Sequence, residues 1–169
     1  MCYVNVSELQ KLNGIYISNI NEGMNEYLCY ILEGTKEQHN KLLVELVKKN
    51  EPQGSYVDFY YKRIDNSNIN LLKKHLIEEE NSLLDTIIEK ARETKGEEEF
   101  IITELTDENL NLLLSLSYKE LLFSSFYFTQ LPCTIWSNYG GRFVLFAKEQ
   151  RCCDTVLELA KEIGLQIDK

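Results

Sequence analysis

Residues 133–147 read CTIWSNYGGRFVLFA, two runs rich in β-branched and aromatic side chains on either side of Tyr139-Gly140-Gly141. Glycine reaches positive φ without a steric penalty, so the glycine pair marks a tight reversal and the flanking runs, 133–138 and 141–147, predict a β-hairpin. From Phe143 to Ala147 every position is apolar. Successive side chains of a strand point to opposite faces, so this strand needs cover on both sides and belongs inside a sheet with a layer on each face.

The neighbouring segments supply the rest of that sheet. ELLFSSFYF (120–128), residues 98–105 and SYVDFYYKRI (55–64) have strand composition, as do GIYISNI (14–20) and EYLCYILE (26–33), which the turn-rich residues between them would join as an opening hairpin. Thr35 followed by Gln38 has the form of a capping box and opens a helix over 36–50. Residues 69–95 contain neither proline nor glycine and predict one long helix ended by Gly96. A short helix capped by Thr106 or Asp107 runs through Leu116, and a last helix over 150–163 stops at Gly164, before a short final strand. The expected fold is a single α+β domain over residues 1–169. It has a mixed or mainly antiparallel sheet, three to four helices, and a C-terminal β-hairpin followed by a helix.

At 169 residues, with 44% apolar and 27% charged side chains, two prolines and eight glycines, the chain has the composition of one globular domain. No apolar run approaches the roughly 20 residues of a membrane span, and the first residues lack the apolar stretch of a secretory peptide. A cytoplasmic protein with no membrane association is expected. The five cysteines, Cys2, Cys29, Cys133, Cys152 and Cys153, are odd in number and form no C-x-x-C pair, so they read as reduced thiols rather than a disulfide framework or zinc site.

The net charge of −9 is unevenly placed. From Glu78 to Glu108 there are twelve acidic residues and three basic ones, a difference of nine, whereas the remaining residues carry fifteen of each. Affinity for a phosphate backbone comes from lysine and arginine, so this segment argues against nucleic acid as a partner and in favour of a basic protein surface.

Individual residues offer further candidates. His39 projects between Leu42, Leu43 and Leu46 on the helix over 36–50. It is either a ligand-contacting or proton-transferring imidazole, or a core histidine bonded to a carbonyl. Glu80 falls in the middle of the apolar arc of a straight 69–95 helix, where a carboxylate would serve a cationic ligand or act as a general acid. A break at Asn81-Ser82 would instead swing it outward. His75 faces away from the apolar side, and its spacing to Glu78 and Glu79 is metal-compatible, but further ligands are wanting and no metal site is assigned. Cys152 and Cys153 lie toward an apolar stripe and read as small packing residues.

Eight of the eighteen aromatic residues fall within the 24 residues 123–146. Most of these belong to the core, but Tyr139 and Arg142, paired across the hairpin tip, and Trp136 beside them have the character of a recognition rim. Phosphate-binding glycine loops, nucleophile elbows, zinc-helix motifs and calcium loops are all missing, and no cofactor is expected. The expectation is an interaction or inhibitor-type protein that docks a basic partner through Glu78, Glu79, Glu80, Glu97 and Glu98, with Trp136, Tyr139 and Arg142 as a second contact. The alternative is a small-molecule-binding protein or small enzyme with a pocket between sheet and helices near His39 and Glu80.

Overall fold

The computed structural model describes residues 3–60, 66–93 and 100–169. Eight strands, β1 (Tyr3–Val4), β2 (Leu28–Glu33), β3 (Ser55–Phe59), β4 (Ile101–Glu104), β5 (Ser125–Phe128), β6 (Cys133–Trp136), β7 (Arg142–Ala147) and β8 (Gln166–Asp168), form one sheet. Its order is β1-β4-β3-β5-β6-β7-β2-β8, and neighbouring strands pair antiparallel throughout the described residues. The molecule is thus α+β with an antiparallel rather than mixed sheet.

Seven α-helices occur among the described residues, more than the three to four expected from sequence: α1 (Val6–Lys11), α2 (Ile20–Glu26), α3 (Lys36–Lys49), α4 (Asn66–Lys73), α5 (Glu78–Glu93), α6 (Asp107–Tyr118) and α7 (Gln150–Ile163). The excess has three sources, of which the first is α1, opened by the Asn5–Glu8 capping box. The expected opening hairpin does not form: residues 14–17 run in no regular structure, and α2 follows, with the Asn19 side chain accepting the Glu22 N–H as its cap. Gly23 lets α2 lie against the sheet, because a Cβ there would sit 2.6 Å from the Phe146 ring. The long 69–95 helix is also divided, into α4 and α5, one turn before the Asn81-Ser82 break considered above. Asn81 supports the break by donating to the carbonyls of Lys73 and Leu76, and Glu80 accepts the Ile77 N–H at 3.2 Å. Gly96 lies outside the described residues.

Alternation along the strands divides the sheet into two faces. Val57, Phe59, Phe126, Phe128, Ile135, Phe143 and Leu145 face the principal core, which the apolar stripes of α3, α5, α6 and α7 close. The opposite face has a thinner cover: Leu9 of α1 packs with Tyr56, Ile102 and Tyr127, while Ile15 and Ile17 pack on Val144 and Phe146. Strand β7 is covered on both sides, as its unbroken apolar run requires.

The β6–β7 reversal is a 3₁₀ turn over Tyr139–Gly141 with Gly140 at φ 65° and Gly141 at φ 66°. A Cβ on Gly141 would meet the Gly34 carbonyl oxygen at 2.6 Å, whereas one on Gly140 would meet nothing within 4 Å. Gly141→Ala is therefore expected to cost about 2 kcal/mol, from left-handed backbone strain plus the collision, and Gly140→Ala only about 1 kcal/mol. Urea denaturation of the two variants measures the difference, and equal costs would show that the contact with Gly34 does not constrain the turn.

Candidate functional site

Three places bring the candidate residues into three dimensions. The first lies under the sheet, where His39 of α3 is fully buried. Its Nε2 is 3.1 Å from the Leu32 carbonyl, its Nδ1 is 2.5 Å from the Tyr118 hydroxyl, and its ring stacks on Phe143 with centroids 4.0 Å apart. The carbonyl requires Nε2 to carry a proton, so in the neutral ring Nδ1 accepts from Tyr118. The Tyr118 hydroxyl also donates to Gly34 O at 2.9 Å, so its single proton serves two acceptors. Burial pulls the imidazole down to about 4, against the upward pull of the Leu32 and Thr35 backbone groups, and burial also raises Tyr118. Burial keeps the ring neutral, and its two bonds tie α3 to α6 and β2.

The second place is the acidic segment. Glu78 and Glu79 are exposed in the first turn of α5, and Glu80 is half-buried, its carboxylate accepting from Ser115 Oγ at 2.5 Å. Ser115 Oγ in turn accepts from Lys36 Nζ at 2.5 Å, so Glu80 is anchored through a hydroxyl between α3, α5 and α6. Glu97 and Glu98 lie outside the described residues. Glu79, Glu80 and Glu108 border a groove of about 460 Å³ between α5 and α6, with Ile77, Leu83 and Leu112 as its apolar lining. Ile77 is 61% exposed. Lys73 pairs with Asp85 of this segment at 2.7 Å.

The third place is the hairpin turn. Tyr139 is 62% exposed and does not pair with Arg142: Arg142 lies opposite Glu33 of β2, with Nε 3.5 Å from its carboxylate. That corrects the expected tip pairing, because the 3₁₀ turn ends the β6–β7 register at Trp136–Val144. Trp136 and Tyr139 instead line one cavity, of about 310 Å³, and Tyr139 and Arg142 line another, of about 500 Å³. Glu120, from the end of α6, borders both, and its Oε1 accepts the Gly140 N–H at 3.1 Å.

The structure thus joins Glu79 with Glu80, and Tyr139 with both Trp136 and Arg142, while His39 and Glu80 bond different residues, Tyr118 and Ser115, three positions apart on α6. Sequence reading passed over Asp58, which is fully buried on β3 and accepts from Ser125 N–H at 2.7 Å and from the Tyr127 hydroxyl at 2.8 Å. The signal was a lone carboxylate in an otherwise apolar strand run. Cys152 and Cys153 are buried at the start of α7, where burial raises both thiols and so disfavours the thiolate form. Among the described residues no group of three or more His, Cys, Asp or Glu side chains is placed to hold a metal ion, and no helix is long and apolar enough to cross a membrane. Comparison with protein-family models, curated proteins and solved structures returns no match.

Proposed function

We propose that the protein acts by binding a basic protein partner, in the manner of an interaction or inhibitor-type protein, through the face formed by α5 and α6. The observation that carries this reading is the α5–α6 groove, where an apolar lining of Ile77, Leu83 and Leu112 is bordered by Glu79, Glu80 and Glu108. An apolar strip with carboxylates at its edge suits a partner segment that presents one or two apolar side chains flanked by lysine or arginine.

Part of the acidity has a local explanation. Glu78–Glu80 and Asp107–Glu108 occupy the first turns of α5 and α6, where negative charge opposes the helix dipole. Glu80 additionally caps Ile77. Glu79 and Glu108 have no such hydrogen bond among the described residues, which leaves their carboxylates available to a cationic partner.

The double variant Glu79→Lys/Glu108→Lys leaves the Glu80 contacts intact and reverses the charge of the groove edge. A basic partner captured by the wild-type protein from host lysate should be retained about tenfold less well by the variant, and wild-type retention should fall as salt shortens the reach of the attraction. An unchanged partner profile, or retention indifferent to salt, would reject the α5–α6 face as the docking surface.

A further inference from the structure

The cavity beneath Tyr139 has a composition that the acidic groove does not share. Its walls include four aromatic residues: Trp136 at the end of β6, Phe123 just before β5, Tyr60 just after β3, and Tyr139 itself. Phe123 and Tyr139 meet edge to face, with centroids 4.6 Å apart and planes at 65°, so their rings form two inclined sides of a box. Glu120 contributes a carboxylate, and among the described residues no lysine or arginine lines the space.

Two further observations point to an occupant. Glu120 holds a left-handed backbone, φ 57°, which costs a non-glycine residue about 1 kcal/mol, and its side chain bonds Gly140 N–H, so the acid is fixed beside the Tyr139 ring. Ser124 is 2% exposed and borders the cavity, yet its hydroxyl lacks a hydrogen-bond partner among the described residues. A buried hydroxyl left unpaired costs free energy, so this wall of the cavity is not relaxed. Behind the wall, the Asp58 carboxylate accepts the N–H of Ser125, a lining residue, and adds negative potential to the site.

We propose that this cavity binds an alkylated ammonium cation, of the kind carried by choline-like amino alcohols and by methylated lysine side chains. Aromatic faces attract cations through their quadrupoles, tryptophan most strongly, and alkylation helps because it weakens the hydration that a bare ammonium must give up on entry. Glu120 supplies the countercharge. A volume of about 310 Å³ matches a small headgroup rather than a nucleotide or a peptide segment.

Trp136 is the single tryptophan of the chain, so intrinsic fluorescence reports on this cavity directly. Titration with choline and with a trimethyl-lysine peptide is expected to give a saturable change. The uncharged choline isostere, with carbon in place of nitrogen, and the unmethylated lysine peptide should bind at least about tenfold more weakly. Saturation by choline alone would identify a free amino alcohol as the ligand, and saturation by the peptide alone a modified protein side chain. Glu120→Gln keeps the acceptor for Gly140 and Tyr139→Ala alters an exposed side chain, so both should fold, with unchanged circular dichroism, and bind about tenfold more weakly; Tyr139→Phe should bind like the wild type. The proposal is overturned if no cation saturates the signal, or if the neutral isostere does so equally well.

Discussion

Between about pH 6.5 and about pH 4 the protein is expected to lose roughly 3 kcal/mol of stability through His39 alone, a loss that the His39→Gln variant should not show. The sign follows from burial. The folded imidazole titrates near 4, below its unfolded value, so the native state binds fewer protons than the unfolded chain throughout this window. The contribution is complete above the unfolded pKa and disappears as the pH falls toward the folded one. Glutamine cannot ionise, yet its amide can still donate to the Leu32 carbonyl that His39 Nε2 contacts. Urea denaturation of both proteins at several pH values isolates the histidine, because the carboxylates titrate alike in each. A stability difference that stays flat across the window would mean that the ring is already charged in the folded state. Tyr118 would then donate to Gly34 and accept from Nδ1.

Asp58→Ala is expected to destabilise the fold by about 3 kcal/mol. The Ser125 N–H and the Tyr127 hydroxyl both end on its two carboxylate oxygens, in a part of the sheet from which water is excluded. Removing the acid strands both donors. Asp58→Asn can satisfy one of them and should fall roughly midway, while Tyr127→Phe removes a donor together with its partner's need and should cost about 1 kcal/mol. The tyrosine hydroxyl resists ionisation strongly, first because it is buried and then because Asp58 is beside it, so the pattern should hold from neutral to mildly alkaline pH. A loss below about 1 kcal/mol for the alanine variant would show that both donors find other partners.

Strands β3 to β7 were legible in the sequence because their β-branched and aromatic residues agree with their burial, and α3 and α7 because the Thr35 capping box and the left-handed Gly164 mark their ends. The segment around Ile15 and Ile17 misled for a physical reason. Its alternation is genuine and both isoleucines are buried on the sheet, but the Ile15 carbonyl accepts from the Thr134 hydroxyl at 2.7 Å rather than from a strand. Periodicity records which side chains are covered, not what satisfies the backbone. The division of α4 from α5 was half legible, weighed at Asn81-Ser82 but found one turn earlier: no proline or glycine marks it, and Asn81 and Glu80 support it by side-chain bonds that propensity does not see.

The turn at Tyr139 announced itself through its glycines, but the neighbours that give it chemical meaning did not. Tyr60, Glu120 and Trp136 come from three separate parts of the chain, and only the adjacency of β3, β5 and β6 brings them together. The acidic groove was half legible. The charge was countable, whereas the apolar lining depended on how α5 settles against α6.

Among the described residues, none of the three strands in the first 60 residues pairs with another of those three: β1 and β3 wait for β4, and β2 lies between β7 and β8. A chain emerging from the ribosome must therefore hold Leu28–Glu33 without its hydrogen-bonding neighbours until residues 142–147 have been made. Such long loop closures slow the search for the native pairing and leave apolar strands uncovered meanwhile. A polypeptide halted before residue 142 can still pair β1, β4, β3, β5 and β6, but it leaves β2 without either of its neighbours.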